Sequence, residues 1–322
     1  MVYLRITGRA LVNVHSANAE GAVGNYMALS KMFIIRRIDK GYEILEEPVI
    51  SGNMLKHWHA VSMVDILKSS GYSKLCEYCS RYVMYRSPDK NKDSEDKFII
   101  GCAIEDVHGF LQPDAQVRRD SLMKFSFMLP IEELRTEYEA VTHNRVVTDK
   151  SGKISAEEQA MMVFKREHAS GIYGFLISGD LAYVGRPLSN PSTESIPIDE
   201  RKTRAKAAVL ALINLLSGRF GAAASRAMPA IRLSEIILAI SKQPIPNLVH
   251  GFYYDYAEES TKILESILNS GLAKDQDLKV YVSGEKPAKL IESNALSKVV
   301  EQVASPIEAL TKSVEVIESW LS

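Results

Sequence analysis

Apolar and polar positions alternate with period two from Val2 to His15. Val2, Leu4, Ile6, Ala10, Val12 and Val14 fall on one face; Arg5, Thr7, Arg9, Asn13 and His15 fall on the other. This predicts a long first strand with one buried and one polar face. Ser16 to Asn25, rich in Ala, Gly and Asn, reads as a loop, and Tyr42 to Ile50 as a second extended segment. Ser51-Gly52 then opens a helix whose apolar positions Met54, Trp58, Val61, Val64 and Leu67 recur at three and four residues and which Gly71 ends. Met123, Phe125, Phe127 and Leu129 alternate as a strand, and Ile172 to Ile177 and Leu181 to Gly185 flank Ser178-Gly179-Asp180 as a tight hairpin.

Beyond Pro197 the period becomes helical. Ala205, Ala208, Val209, Leu212, Ile213 and Leu216 form a stripe between a capping Asp199 and a terminating Gly218. Ile231 to Ile240 and Tyr256 to Leu268 read as further helices, Leu278 to Val282 as a strand, and the stretch from Leu296 to Leu321 as two short amphipathic helices, the second opened by the Ser305-Pro306-Ile307-Glu308 capping box. Two polar stretches, Arg86 to Lys97 and Thr142 to Glu158, have little to bury and read as surface loops. Strands separated by helices predict an α+β fold, a sheet with helices on one side.

With 322 residues and 46% hydrophobic content, the chain can fill a sizeable core. Lys+Arg 39 against Asp+Glu 40 gives a net charge of -1, so any anion-binding surface has to be local. Three cysteines, the absence of a basic-then-apolar leader and the shortness of the apolar run from Ala207 to Leu216 point to a reducing cytoplasm and to no membrane span.

Charge does concentrate in one place. From Arg201 to Ser234 there is no acidic residue, while Arg201, Lys202, Arg204, Lys206, Arg219, Arg226 and Arg232 are cationic, a pattern that fits either an anionic partner or a solvated face. Gly218-Arg219-Phe220-Gly221 lets backbone approach a phosphate, or simply ends a helix. Arg5, Arg9, Asn13 and His15 on the polar strand face resemble a sheet surface that holds single-stranded RNA, and equally a hydrated face. The Ser51-Gly52-Asn53 turn offers free N–H groups with Lys56 one turn in, a phosphate seat or an ordinary cap. His57, His59, Cys76 and Cys79 have the residue types for zinc in loose spacing, and Asp89, Asn91 and Asp93 start a calcium loop that lacks its glycine and its closing glutamate. No hydrolase, metalloprotease or dinucleotide fingerprint occurs.

Several strings together resemble the archaeal Cascade backbone family, the DevR-type CRISPR-associated autoregulators or Cas-seven family. They are Ile50-Ser51-Gly52-Asn53-Met54-Leu55-Lys56-His57-Trp58-His59, Asp106-Val107-His108-Gly109-Phe110-Leu111, Arg118-Arg119-Asp120-Ser121, His143-Asn144-Arg145-Val146, Arg166 through Phe175, and Val184-Gly185-Arg186-Pro187-Leu188. The resemblance implies a modified RNA-recognition-motif (ferredoxin-like) core in a crescent-shaped single domain over residues 1–322. Its insertions would be a helical and loop insertion at about 60–105 and a thumb-like insertion at about 142–168, with C-terminal helices packed on the core. It implies a cytoplasmic, non-catalytic subunit without cofactor or metal that binds CRISPR RNA, self-associates into a helical filament, joins other Cascade subunits and presents the guide to single-stranded target nucleic acid. Carried over by position, the RNA-binding residues would be His15, Ser16 and Asn18 after the first strand; Ser51, Asn53, Lys56 and His57 at the turn and helix; His143, Asn144, Arg145, Lys165 and Arg166 in the thumb; and Arg219 and Arg226. The aromatic pairs of ordinary RNA-recognition motifs are absent from the first strand, where Tyr3 stands alone. A metal-dependent nuclease built on His57, His59, Cys76 and Cys79, and a DNA-binding transcriptional regulator, are the competing readings.

Overall fold

The computed structural model describes residues 1–86, 89–146, 161–221 and 227–321, apart from the side chains of 19–23, 144–146, 161–163 and 291. The long alternating segment forms β1 (Tyr3–His15). Two hairpins follow it, β2 (Ala19–Val23) with β3 (Tyr26–Leu29), and β4 (Lys31–Ile38) with β5 (Gly41–Pro48), so half of the expected Ser16 to Asn25 loop is strand. Helix α1 (Gly52–Ser69) is capped by the Ser51 hydroxyl, which accepts from Met54 N–H. The short helices α2 (Glu77–Ser80), α3 (Glu95–Gly101) and α4 (Ala103–His108) lead to β6 (Phe110–Gln112), β7 (Val117–Arg119), β8 (Met123–Phe125) and β9 (Leu129–Pro130). A two-stranded ribbon, β10 (Glu137–Val146) with β11 (Met161–Gly179), precedes α5 (Ile198–Leu216) and β12 (Ala230–Ser241). Helix α6 (Tyr256–Asn269), β13 (Leu278–Ser283), α7 (Glu285–Ala288), β14 (Val300–Gln302) and α8 (Pro306–Trp320) complete the order.

At the centre of the sheet β12, β1, β11 and β8 lie side by side, every neighbouring pair antiparallel. Helix α1 sits between the first and second of these strands in sequence, α5 between the third and fourth, and the two helices pack on one another over one sheet face. Their core joins Leu4, Ile6, Phe175, Ile236, Leu238 and Ile240 to Val64, Leu212 and Leu310. The opposite face is covered as well. There Ile237, Ala239, Val280 and Val282 meet Tyr256, Leu264 and Ile267 of α6. The expectation of helices on one side is therefore corrected: the sheet is buried from both sides, which is why β12 lacks the polar alternation of a half-exposed strand and reads in sequence as a helix.

Two more readings change. Ile172 to Gly185 is no hairpin, because β11 runs unbroken to Gly179 and turns through Leu181–Tyr183, whose Ala182 N–H donates to Val2 O. Of the two short helices expected near the end only α8 forms; the stretch before it carries β14, paired in parallel with β13. Gly218, expected to end α5, does so at φ 98°.

Candidate nucleic-acid interface

The polar face of β1 is not an open RNA platform. Segment 242–255 lies across it: Thr7 Oγ1 donates to Val249 O at 2.7 Å, Arg5 Nε to Ile245 O at 3.1 Å and Arg9 Nε to Gly251 O at 2.8 Å. Arg5 also pairs with Asp180 and Arg9 with Glu133, so both guanidiniums are buried and neutralised. Only Asn13 of the predicted row is exposed.

His15 departs further. A bulge at Val14, whose φ of 51° is left-handed, breaks the alternation and turns the His15 ring inward, where Nε2 meets the Tyr173 hydroxyl at 2.7 Å. Burial pushes its pKa down to about 4, so His15 is neutral and cannot serve as a phosphate-binding cation. Ser16 is likewise buried, its hydroxyl without a hydrogen-bond partner among the described residues.

The basic segment after Arg201 is largely spent on the fold. Arg201 and Arg204 are fully buried; Arg201 holds Glu194 and the carbonyls of Ala182 and Val184, and Arg204 holds Asp106, Glu200 and Tyr72. Arg219 pairs with Asp65 and Lys206 with Glu318. The asymmetry legible in sequence is thus cancelled by acidic groups that arrive from elsewhere in the chain. Arg226 lies outside the described residues.

What the structure does bring together is the turn before α1. Asn18 locks onto it twice: its Nδ2 donates to Ser51 Oγ at 2.9 Å and its Oδ1 accepts from Ser51 N at 3.0 Å. These two residues, with Asn53, His57, Trp58, Met84 and Arg86, line a groove of about 500 Å³. Met84 and Arg86 also border an adjoining hollow lined by Lys56, Gly109, Asp120 and Ser121. Arg86 thus borders both hollows and Lys56 the second, a trough of two adjoining hollows at the positive end of an 18-residue helix whose first turn contains no acidic residue.

Neither cation has a hydrogen-bond or ion-pair partner among the described residues. Both are half-buried, and burial together with the neighbouring Arg86 charge pushes the Lys56 ammonium down to about 8, Asp120 pulling weakly the other way. Burial and Arg86 also lower His57, and burial lowers Arg86 itself. Half-buried positive groups that repel one another are stabilised by an anion placed between them.

Arg86 was not legible as a site residue, because its segment reads as a solvated polar loop. In the structure Lys92 reaches the buried Glu105, and Glu95 accepts from Arg119 and from the Leu188 and Ser189 backbone, so the charges of this stretch are anchored; residues 87 and 88 lie outside the described set. The signal available in sequence was only that Arg86 ends the run of aromatic residues Tyr78, Tyr82 and Tyr85.

The thumb candidates lie on the β10–β11 ribbon. His143 pairs in register with Phe164 and stacks on its ring at 5.3 Å between centroids, and Arg166 pairs with Val141 on the same ribbon face. Lys165, exposed, points to the opposite face by the strand alternation, so the pair Lys165 and Arg166 does not form one site. Asn144 and Arg145 occupy β10 as backbone only, and the remainder of the expected insertion from 147 to 160 lies outside the described residues.

The zinc reading of His57, His59, Cys76 and Cys79 is not assembled. His59 is fully buried, with Nδ1 at 2.9 Å from His108 Nε2 and Nε2 at 2.7 Å from Ala208 O, and the cysteines gather with Cys102 instead.

Comparison with known proteins identifies the family of the chain. The family described as CRISPR-associated negative auto-regulator DevR/Csa2 matches residues 6–261. A Methanocaldococcus jannaschii protein, "CRISPR-associated protein Cas7/Cst2/DevR", is 42% identical over 94% of this chain and 100% of its own length; one of the same description from Thermoproteus tenax is 38% identical over 83% of each. A Saccharolobus solfataricus protein described as an aCascade subunit Cas7/Csa2 is 28% identical over 93% of this chain and 98% of its own. Among solved structures, a chain of a CRISPR RNA-guided surveillance complex superposes with a TM-score of 0.51 at 11% identity, covering 98% of this chain and 99% of that one, a likeness of fold. With a mixed sheet between helices and a family match over most of its length, the chain belongs to the DevR/Csa2 family of CRISPR-associated proteins.

Proposed function

We propose that this chain is a non-catalytic backbone subunit of a Cascade-type complex that binds CRISPR RNA through its phosphates, self-associates along the guide and presents it to single-stranded target. The observation that carries the reading is the trough at the start of α1, where Lys56 and Arg86 have no ion-pair partner among the described residues, Asp120 acting on Lys56 only from a distance, beside the Asn18–Ser51 clamp. Phosphate contacts position a strand without reading it, as a subunit that coats any spacer requires.

The strand order β12–β1–β11–β8 with crossovers α1 and α5 supports a modified RNA-recognition-motif core, single and carrying insertions near 60–105 and 142–168. In such folds RNA commonly lies on the sheet face. Here segment 242–255 fills that face, which favours the trough and the ribbon as the RNA seat; on the ribbon, His143 Nε2 and Arg166 Nε are shielded from solvent without partners among the described residues. Self-association is supported by the β4–β5 hairpin. Phe33, Ile35, Tyr42 and Ile44 share one face of it by register and are 77%, 59%, 72% and 65% exposed, while Ile34, Arg36 and Glu47 on the other face are buried.

The test is binding of two unrelated single-stranded RNAs and one duplex DNA across a salt series. The double substitution Lys56→Ala with Arg86→Ala is expected to flatten the slope of log K against log salt by about 0.7 for each phosphate no longer neutralised, equally for both RNAs, while Lys90→Ala in the exposed loop leaves it unchanged. An unaltered slope in the double variant overturns the trough as the RNA seat. RNA cleavage, or tighter binding of the duplex, overturns the non-catalytic RNA-coating role.

A further inference from the structure

The cysteines serve no part of this reading, yet the fold collects all three. Cys76 caps α2, Cys79 lies in its last turn, and Cys102 stands between α3 and α4; their Sγ atoms all lie within 4.8 Å of one another. All three are free thiols, Cys79 and Cys102 buried. A tetrahedral zinc(II) with Zn–S bonds of about 2.3 Å holds its sulfurs roughly 3.8 Å apart, so the cluster needs only a small contraction to close on one ion. The Cys79 N–H donates to Cys76 Sγ at 3.5 Å, the kind of outer contact that steadies a metal-bound thiolate.

Glu105 stands three residues after Cys102 in α4; its carboxyl interacts with the Cys76 thiol but lies outside the 4.8 Å cluster of the three sulfurs, so it would have to swing in to serve as a fourth donor. It is fully buried; its Oε2 accepts from Lys92 Nζ at 3.2 Å, while its Oε1 has no hydrogen-bond partner among the described residues. Burial pushes this carboxyl up to about 7 even with Lys92 beside it, and a cation at the free Oε1 would offset the cost of burying its charge. We propose that Cys76, Cys79 and Cys102, with the Oε1 of Glu105, form a structural zinc(II) site.

Three thiolates and a carboxylate leave no open position for catalysis, and binding releases the thiol protons to solvent without redox change. The ion would pin α2 to the α3–α4 junction and so close the excursion from residue 80 to residue 101. That excursion carries Met84 and Arg86 into the trough. The site itself does not depend on the proposed function, because metal content is read on purified protein without RNA.

The experiment is metal analysis of the full chain expressed with zinc, followed on the unmodified protein by mercurial titration of the thiols with a zinc-sensitive dye. One zinc per chain is expected, released as the three thiols react and resistant to dialysis. Cobalt(II) exchange should give thiolate-to-metal charge transfer with tetrahedral absorption. Glu105→Gln is expected to weaken zinc at least about 10-fold while retaining the cobalt–thiolate band, and Cys76→Ser to abolish stoichiometric binding. Zinc well below stoichiometry, iron in its place, a Cys76–Cys79 disulfide detected by mass, or full zinc retention in Cys76→Ser each overturns the site. Because the wild-type titration needs no variant, a misfolded Cys76→Ser leaves the result readable.

Discussion

A lysine that is half-buried with no carboxylate within ion-pair distance destabilises the fold whenever it is charged. Lys56 is held down to about 8 from its ordinary 10.5, so between those values the folded chain binds fewer protons than the unfolded one and its stability rises with pH. A phosphate reverses the balance by favouring the ammonium. RNA affinity is therefore expected to fall by about ten-fold from pH 7 to pH 9 through this one group, and titrations of wild type against Lys56→Met check it; an equal decline in both removes Lys56 from the RNA seat. Asp106 makes the opposite case, a charge fully satisfied in the interior. Its Oδ1 accepts from Arg119 Nη2 at 2.8 Å and its Oδ2 from Arg204 Nη1 at 2.8 Å, and both oxygens face the Gly185 N–H. Asp106→Ala takes one carboxylate from each of two buried guanidiniums, leaving Arg119 with Glu95 alone and Arg204 with Glu200 alone, and is expected to cost roughly 3 kcal/mol in urea unfolding, with a loss under 1 kcal/mol arguing that the remaining carboxylates suffice.

Between elements, packing is set by how closely backbones approach. Segment 242–255 presses onto β1 and β11 because Gly8, Gly174 and Gly251 meet there: a Cβ on Gly174 would lie 2.1 Å from Gly251 C, and one on Gly251 would lie 2.1 Å from Gly8 O. Gly174→Ala is therefore expected to destabilise by about 1–3 kcal/mol through a backbone clash, measured by urea unfolding. The hairpin β4–β5 has the reverse character, since its outer apolar face is left open to solvent in this chain. Phe33→Ser with Ile44→Ser is expected to change monomer stability by no more than about 0.5 kcal/mol while abolishing RNA-driven assembly in sedimentation; assembly that persists would place the subunit interface elsewhere.

Over the whole molecule, the buried Arg5, Arg9, Arg201 and Arg204 are answered by carboxylates, whereas the half-buried Lys56 and Arg86 have no ion-pair partner among the described residues; under the proposed function this local imbalance lets a chain of net charge -1 grip a polyanion. Its histidines are handled differently. His15 and His59, both buried, and the part-buried His250 are neutral rings with pKa values near 4, lowered by desolvation. Folded values below the unfolded one mean that stability is lost as pH falls from 6.5 towards 4, by about 2 kcal/mol for each ring at pH 5. Thermal melting at pH 7 and pH 5 is expected to show a large downward shift, and a flat profile would require these rings to be solvated.

Strand β1, helices α1, α5, α6 and α8, and the Ser51 cap were legible in the sequence because each rests on local periodicity or a local hydrogen bond. The turn and helix start that carry Ser51, Asn53, Lys56 and His57 were legible too, as a capping serine with a lysine one turn in. Only the tertiary structure decided that β12 is a strand, since burial on both faces erases alternation, and that Arg5, Arg9, Arg201 and Arg204 serve the fold, since their partners Asp180, Glu133, Glu194 and Asp106 are remote in the chain or hidden by folding. It also decided that Arg86 joins Lys56, and Cys102 joins Cys76 and Cys79. Sequence pattern reports what a residue does to its neighbours within a turn or two; which charges remain unpaired is a property of how distant segments pack together, and that property selects the functional surface.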